Sequence, residues 1–552
     1  MAKYLKHLAS LFSSQREKLR EDQVMNHAGG FVFSLDKWGK LDRWLILGCE
    51  GGSYYASERQ MTRDNAKTIL ECLAENGPRT VKRIAEISDA GRAPKNDPAI
   101  FALAMAAGSQ DPDTRRAALA AIPTVCRTGT HLFHFARDVE AFRRWGRGLR
   151  NAIAAWYNDK PADKLAYQAV KFQQRDGFSH RDLLRLAHPK AKSAAHNAVY
   201  RWMVGGAEAI EKAHGKGDVL RYQDLPALIV GVEQLRKATQ VGEVVSLIRE
   251  HRMTHEMIPT EWKNHLEVWD ALLTDMPITA MVRNLAKMTE IGLLKPMSIA
   301  SQKVVAELGN EKRLKLARVH PIALLSALKV YQSGKGVKGK LTWTPVREIV
   351  DALDQAFYLS FKTIEPTGKK HLLALDVSGS MTCGEIAGVP GLTPRVASSA
   401  MAMVTARTER DYAFVAFTAA SQGFGGMHGG GTPGIQLLDI SARQRLDDVL
   451  KKVDNLPFGG TDCALPMIWA AKNKAEVDTF VVYTDNETWA GTVHPFQALR
   501  DYREKMGRPA KLIVVGMTAT NFTIADPNDG GMLDVVGFDT SAPQIMADFA
   551  RA

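Results

Sequence analysis

The sequence predicts two parts of different fold class: an α-helical, HEAT-like solenoid over the first two thirds and a doubly wound α/β domain over the last third. Residues 65–330 read as helical segments of about 10 to 20 residues, separated by short breaks containing Gly, Pro or Asp. From about residue 366, buried-strand runs alternate with helical patterns, as a parallel sheet requires. We therefore divide the chain into a lead-in (1–27), a helical part (28–365) and an α/β part (366–552).

The two parts also differ in charge. The whole chain has 72 Lys and Arg against 60 Asp and Glu, a net charge of +12. From residue 369 onward there are 17 basic and 20 acidic side chains, which leaves 55 basic and 40 acidic ones before it. A polyanionic partner is therefore expected on the helical part, although such an excess can also be an ordinary solvated surface.

Length and composition exclude several classes of protein. A chain of 552 residues is too long for one core. No stretch approaches the roughly 18 uncharged apolar residues of a membrane span, and no signal peptide is recognisable, so we predict a cytoplasmic protein. The five cysteines are scattered without CxxC spacing, which argues against a disulfide framework and against a zinc site.

The first 55 residues have two patterns. Residues 1–27 are charged and weakly patterned, which predicts a loosely ordered lead-in. Residues 28–55 combine glycine turns with aromatic runs, and we interpret them as a hydrophobic clasp at the start of the helical array. The segments that follow resemble antiparallel helix pairs of a solenoid, which could curve into a ring, although periodicity alone does not establish closure.

One basic segment of the helical part, residues 165–188, is a candidate anion site. Lys171 and Arg175 are four residues apart, which predicts two cations on one helical face before Gly177 ends the helix. The next predicted helix carries further basic side chains, namely His180, Arg181, Arg185 and His188. A facing phosphate would explain this clustering of like charges; the alternative is that the side chains are solvated or paired with Asp176 and Asp182.

A second basic stretch lies at residues 313–340. Its centre, SGKGVKGK, contains Lys335 and Lys338 and predicts a flexible cationic loop suited to contact with a nucleic-acid backbone. A plain linker between helices is the alternative interpretation.

The α/β part contains a set of oxygen-bearing side chains at the ends of predicted strands. The apolar run of residues 371–375 ends in Asp376, Ser378 and Ser380, a glycine turn presents Thr461, and a second buried run ends before Asp485. Because ligands bind at the carboxyl ends of parallel strands, these residues predict a hard-cation site, with Mg²⁺ favoured. Taken singly, the same residues could be a helix cap or a turn.

The order DxSxS, then Thr, then Asp resembles the metal-ion-dependent adhesion site of von Willebrand factor A domains. By that resemblance, Ser378, Ser380 and Thr461 would contact the metal directly, and Asp376 and Asp485 would hold it through water. A haloacid-dehalogenase-type phosphatase would require Asp at position 378, and a nucleophile elbow would require GxSxG, so both enzyme classes are disfavoured.

Longer stretches resemble the Ro autoantigen family, in which a TROVE domain is joined to a von Willebrand factor A domain. The similar text includes AGGFVF, GCEGGSYY, QRDGFSHRDLLRLAH, EPTGKKHLLALDVSGSM and TDNETWAGTVHP, and it extends from residue 28 to the end. The glycine-rich loop at residues 422–434 is unlike the family. The resemblance implies a HEAT-like ring closed by the A domain, with Y RNAs on its outer surface and single-stranded RNA 3′ ends in its central hole. The family's RNA-binding positions fall on Lys171, Arg175 and His188.

We therefore expect an RNA-binding, bacterial-type Ro ribonucleoprotein scaffold without catalysis. Its expected partners are small noncoding, Y-like RNAs and single-stranded 3′ ends of misfolded RNAs, together with an exoribonuclease by kinship. A monomer holding a divalent cation, Mg²⁺, is expected. The rival interpretation is a metal-dependent protein-interaction module on a helical scaffold without an RNA role, and a third is a phosphohydrolase acting through Asp376.

Overall fold

The computed structural model describes residues 14–50, 52–214, 224–337, 339–361, 364–419, 434–456 and 459–552. Lys338 and residues 422–433 of the glycine-rich loop lie outside the described residues. None of the described helices is both long and apolar enough to span a membrane.

The described helices of the helical part range from 6 to 32 residues in length. Their bounds are α1 Lys37–Leu47, α2 Glu58–Asp89, α3 Asp97–Ala107, α4 Pro112–Val125, α5 Gly129–Glu140, α6 Arg147–Asn158, α7 Ala162–Lys171, α8 His180–Ala187, α9 Ala194–His214, α10 Ala227–Leu235, α11 Val241–His251, α12 Leu266–Thr274, α13 Ile278–Glu290, α14 Ile299–Leu308, α15 Glu311–Leu316, α16 Pro321–Ser333 and α17 Arg347–Leu359. Successive helices pack against one another around a continuous apolar core, as in a helical solenoid.

The solenoid returns to its own beginning. The Nε2 atom of His320, just before α16, is 3.1 Å from the carbonyl oxygen of Arg92, just after α2. Beside it, Nη1 of Arg318 is 3.2 Å from Oδ1 of Asp89. Arg92 in turn pairs with the buried carboxylate of Asp539 in the α/β part, at 2.6 Å. The first helices therefore contact both the last helices and the sheet domain.

The α/β part is a twisted sheet with helices on both faces. Its strands are β5 His371–Asp376, β6 Tyr412–Phe417, β7 Ile435–Leu438, β8 Thr479–Thr484, β9 Lys511–Gly516 and β11 Met532–Val536. Their order is β11-β9-β8-β5-β6-β7, parallel except for the antiparallel β7 at one edge. The helices are α18 Pro394–Thr408, α19 Leu446–Asp454, α20 Leu465–Lys472, α21 Pro495–Met506 and α22 Ala542–Arg551.

The two faces of this sheet have different neighbours. Alternate side chains such as Leu373 and Leu375 join the large core shared with the helical solenoid, whereas Leu372 and Ala374 join a smaller core under α20 and α21. Because side chains alternate along a strand, one strand supplies both cores. The predicted doubly wound α/β fold beside a helical array is confirmed.

The N-terminal residues differ from their prediction. Residues 14–34, which we call the N-terminal strap, form β1 Gln23–Met25 and β2 Phe31–Ser34, and β2 pairs with β10 Phe522–Thr523 of the α/β part. The described residues of the lead-in are therefore ordered by antiparallel pairing to the far end of the chain. The expected clasp at residues 28–55 begins on the sheet domain and only then enters the helical array.

Candidate functional site

The predicted metal site is assembled at the carboxyl ends of β5 and β8. Oδ1 of Asp376 accepts a hydrogen bond from the Ser378 amide at 2.9 Å, and its Oδ2 accepts one from the Thr484 hydroxyl at 2.6 Å. The hydroxyl oxygens of Ser378 and Ser380 are 3.3 Å apart. The Gly379 amide donates to the carbonyl of Gly459 at 3.2 Å, which joins the DxSxS loop to the loop carrying Thr461.

The same loops are joined to the segment that follows Asp485. The amides of Trp489 and Ala490 both donate to the carbonyl oxygen of Thr461, at 3.1 and 3.0 Å. The predicted ligands are nearly inaccessible, with 0% exposure for Asp376 and Thr461, 1% for Ser378, 3% for Asp485 and 4% for Ser380. The three separated segments are therefore held together as one buried cluster of oxygen atoms.

The charge state of this cluster favours a cation. Burial, together with the nearby carboxylates of Asp376 and Glu487, raises the pKa of Asp485 to about 8. Burial likewise raises the pKa of Asp376 above its ordinary value. Two buried carboxyl groups that repel one another are stabilised either by a proton or by a positive ion.

The donor atoms also fit a hard divalent cation. The Thr461 hydroxyl is buried and has no hydrogen-bond partner among the described residues, as expected for an atom reserved for a ligand. Among the described residues, no group of three His, Cys, Asp or Glu is placed to hold a metal. A cation here would therefore depend on the hydroxyls of Ser378, Ser380 and Thr461, which is the donor chemistry of Mg²⁺.

The N-terminal strap is hydrogen-bonded to the loops that flank this cluster. Asn26 donates from Nδ2 to the carbonyl of Thr488 at 2.8 Å, and the Ala28 amide donates to the Glu487 carboxylate at 3.0 Å. Gln15 accepts from the Thr488 hydroxyl at 2.6 Å and donates to Oδ1 of Asp462 at 2.7 Å. The strap thus holds both loops that flank the predicted ligands.

The candidate RNA site differs from its prediction in local structure. Helix α7 ends at Lys171, and Arg175 lies on a two-residue strand, β3 Gln174–Arg175, paired with β4 Phe178–Ser179. Asp176 and Gly177 both have positive φ, 51° and 80°, as a tight hairpin turn between two such strands requires. The expected single helical face carrying Lys171 and Arg175 is therefore wrong, because the helix ends four residues earlier.

Lys171 is half-buried and already has protein partners. Its Nζ atom donates to the Tyr167 hydroxyl at 3.0 Å and lies 3.5 Å from the Glu256 carboxylate. Burial opposes ionisation of Glu256, but its hydrogen bond with His255 and the charge of Lys171 lower its pKa to about 2. Lys171 is therefore a partly neutralised cation, whereas the side chain of Arg175 is 63% exposed.

His180 cannot contact RNA in this structure, contrary to its prediction. It is only 3% exposed. The Tyr157 hydroxyl is 2.8 Å from its Nδ1, and the Gln168 carbonyl is 3.3 Å from its Nε2. Its ring stacks on Trp156, and burial lowers its pKa to about 4. The helical period explains the error, because His180 falls on the buried face of α8 with Leu183, Leu184 and Ala187.

The opposite face of α8 is a row of exposed basic residues. Arg181 and Arg185 are exposed at the spacing i, i+4, which places them on one side of the helix, and the exposed His188 follows directly as the left-handed residue that ends it. Of the predicted alternative partners, Asp182 caps the helix through Ser179, whereas Asp176 pairs with Arg137 at 2.7 Å and also lies 3.9 Å from Nε of Arg175. We call Arg175, Arg181, Arg185 and His188 the cationic row.

The second basic stretch is an exposed hairpin-like loop. Lys335 is exposed and forms an isolated antiparallel bridge with Thr342. The Gly336 amide donates to the carbonyl of Leu341 at 2.9 Å. This loop follows α16, so its backbone is fixed at the base by the last helices of the solenoid.

Known protein families match both the helical part and the α/β part of the chain. The TROVE domain profile matches residues 24–330, and the Ro60 vWA domain profile matches residues 370–550. A protein of Deinococcus radiodurans named RNA-binding protein RO60 is 44% identical over 556 residues, covering 100% of this chain and 99% of that protein. The chain belongs to the Ro60 family.

Other Ro60 proteins give the same assignment. RNA-binding protein RO60 of Caenorhabditis elegans is 37% identical over 603 residues, covering 97% of this chain and 91% of that protein. The crystal structure of the Deinococcus radiodurans RO (RSR) protein aligns with a TM-score of 0.67 at 41% identity, covering 94% of this chain and 99% of that one. The resemblance stated from the sequence is confirmed.

Sequence reasoning missed the role of the strap residues in this Ro60-family chain. Gln15, Asn26 and His27 reach the metal-site loops only because residues 447 to 462 positions apart become neighbours. One local signal was present: Gly30 sits where any Cβ would meet the Thr488 carbonyl oxygen at 1.9 Å. A glycine pair inside a strand pattern can mark such a close backbone approach.

Proposed function

We propose that this protein is an RNA-binding scaffold that holds small noncoding, Y-like RNAs and the single-stranded 3′ ends of misfolded RNAs for quality control. The cationic row is the observation that carries the proposal. It presents exposed basic side chains on the part of the chain that holds the whole basic excess, and among the described residues only Arg175 of the row has an ion-pair partner, the shared carboxylate of Asp176. The two relatives named RNA-binding protein RO60 support an RNA ligand.

The chemistry of the row suits a phosphate backbone. Arg guanidinium groups contact phosphate oxygens in pairs of hydrogen bonds, and a row of them along one helix face can follow successive phosphates. Release of counterions from the RNA would then dominate affinity and make it strongly dependent on salt. Lys335 and Lys338, in the loop after α16, are proposed as additional non-specific contacts.

Lys171 has a different proposed role. Its ammonium group is shared between Tyr167 and Glu256, so a phosphate would have to compete with that carboxylate. We assign it a supporting role, in which it positions the end of α7 beneath the hairpin that carries Arg175.

The metal site is proposed to stabilise the sheet domain. Asp376, Ser378, Ser380, Thr461 and Asp485 would hold Mg²⁺, and the cation would neutralise their buried negative charge. Their burial disfavours direct access by the carboxylate of another protein. An exoribonuclease partner, implied by kinship, would therefore bind elsewhere on this monomeric scaffold.

RNA binding is tested with one hairpin RNA made with and without a single-stranded 3′ tail. We expect the tailed RNA to bind about tenfold more tightly, and binding of both RNAs to weaken steeply with salt. The double variant Arg175→Glu, Arg181→Glu should weaken binding, whereas Lys505→Glu, an exposed charge reversal on the sheet domain, should not.

The rival without an RNA role makes the opposite prediction. The purified protein would then show the same ratio of absorbance at 260 and 280 nm with and without ribonuclease. It would also bind neither RNA, and the double variant would be indistinguishable from the control.

A further inference from the structure

A cavity lies at the seam where the solenoid returns to its beginning, and the cationic row and the metal site do not use it. Its volume is about 560 Å³, within the range of small-molecule sites. Its walls come from the end of α2, the start of α5, and helices α13 and α16, with Val389 contributed by the α/β part. The cavity therefore depends on the contact between the first and last helices and the sheet domain.

The lining of this cavity is positive and contains no carboxylate. Lys95, Arg127, Arg283 and Arg318 line it, and no Asp or Glu does among the residues that the structure describes. Two of these cations are compensated from outside the lining: Arg318 by Asp89 and Lys95 by Glu50. The remaining charge is on Arg127 and Arg283, and such a site favours an anion.

Arg127 and Arg283 differ in how firmly they are held. Nη1 of Arg127 donates to the Ser88 hydroxyl at 3.0 Å and to the Thr124 carbonyl at 2.9 Å, which fixes the guanidinium group at the cavity wall. Arg283 is exposed, and no described residue pairs with it. The guanidinium group of Arg127 is thus positioned before a ligand binds, whereas that of Arg283 can move to contact one.

The rest of the lining is apolar with a few hydrogen-bonding groups. Ala286, Ala327 and Val330, which are partly exposed, contribute aliphatic surface, and Asn96 and Ser326 contribute polar atoms. An inorganic anion would leave this apolar surface unused. The ligand that matches both the cationic and the apolar parts of the lining is an anion attached to a weakly polar, flat group that can also form hydrogen bonds at its edges.

We propose that this seam cavity binds a nucleoside phosphate, with the phosphate at Arg127 and Arg283 and the base against the aliphatic wall. The inference does not rest on RNA binding by the cationic row, because no residue is shared between the two sites. Two sources have this chemistry, a free mononucleotide and the terminal nucleotide of an RNA strand.

The test measures binding of adenosine monophosphate, uridine monophosphate and inorganic phosphate to the full-length protein by calorimetry. We expect at least one mononucleotide to bind, and at least tenfold more tightly than inorganic phosphate. Arg283→Gln, which breaks no observed contact, and Ala323→Phe, which places a ring in the cavity from an exposed position, should each weaken it at least tenfold. Lys505→Gln is the charge-matched control and should bind like the unmodified protein.

A competition experiment separates the two sources. If a short single-stranded oligonucleotide displaces the mononucleotide, the site accepts a strand end; if it does not, the site is for free nucleotides, and either result supports the proposal. Absence of mononucleotide binding at millimolar concentration, equal affinity for inorganic phosphate, or full affinity in both variants would overturn it. The Arg175→Glu, Arg181→Glu variant should retain mononucleotide binding, so that failure of one proposal is distinguishable from failure of the other.

Discussion

Two neighbouring glycines of the strap provide a matched test of how it holds the metal-site loops. A Cβ added at Gly30 would lie 1.9 Å from the Thr488 carbonyl oxygen and 3.0 Å from Cα of Trp489. Both are backbone atoms, so the strap must move away from the loop. A Cβ added at Gly29 meets nothing within 4 Å, but this residue has φ of +86°. Gly29→Ala therefore strains only the local backbone.

The hydrogen bonds around Gly30 set the expected magnitude. Moving the strap away from the loop breaks the bond from Asn26 to the Thr488 carbonyl (2.8 Å) and the two bonds to the Glu487 carboxylate, from His27 (2.8 Å) and from the Ala28 amide (3.0 Å). Because each of these hydrogen bonds contributes about 1 kcal/mol to stability, Gly30→Ala should lower the free energy of unfolding by roughly 3 kcal/mol. Gly29→Ala should cost about 1 to 2 kcal/mol through its left-handed backbone.

Thermal unfolding and limited proteolysis measure the difference. Roughly 3 kcal/mol corresponds to a fall in Tm of about 6 to 12 °C for a unit of this size, and Gly29→Ala should lower Tm by about half as much. Gly30→Ala should also expose the strap to protease and reduce the rise in Tm produced by Mg²⁺. Equal destabilisation by the two substitutions, with the strap still protected in Gly30→Ala, would refute this view of the strap.

Three further predictions concern the rest of the molecule. Reversing the charge of Arg175 and Arg181 together should weaken RNA binding by roughly 1 to 3 kcal/mol and flatten its salt dependence, measured by titration at several salt concentrations; unchanged affinity would remove both from the site. Burial lowers the pKa of His180 and His320 from 6.5 to about 4, so the unfolded chain binds more protons between these values and stability must fall as pH falls through this window. Each histidine should lower the free energy of unfolding by about 2 kcal/mol between pH 6.5 and 5, as measured by denaturant titrations. A free energy of unfolding that does not change over this pH range would contradict the prediction. Thr461→Val should remove Mg²⁺-dependent stabilisation without destabilising the metal-free protein, because the lost hydroxyl has no partner; a Mg²⁺ response of full size would exclude it as a ligand.

Local patterns determined much of this protein. The apolar runs of β5 and β8, each ending in oxygen-bearing side chains, were sufficient to predict parallel strands and the cluster at their carboxyl ends. The sequence likewise placed Arg181 and Arg185 on one predicted helix, although it did not separate these exposed residues from the buried His180. These features depend on residues within a few positions of one another, where helical and strand periods are directly visible.

Contacts between distant residues were decided only by the tertiary structure. The strap lies on the metal-site loops, Lys171 meets Glu256, and Arg318 meets Asp89 to form the seam cavity. His180 is a residue type that occurs both in cores and at binding sites, and only packing against Trp156 assigned it to the core. The periodicity of a segment indicates which of its faces is buried, but the partner of that face depends on how the whole chain closes.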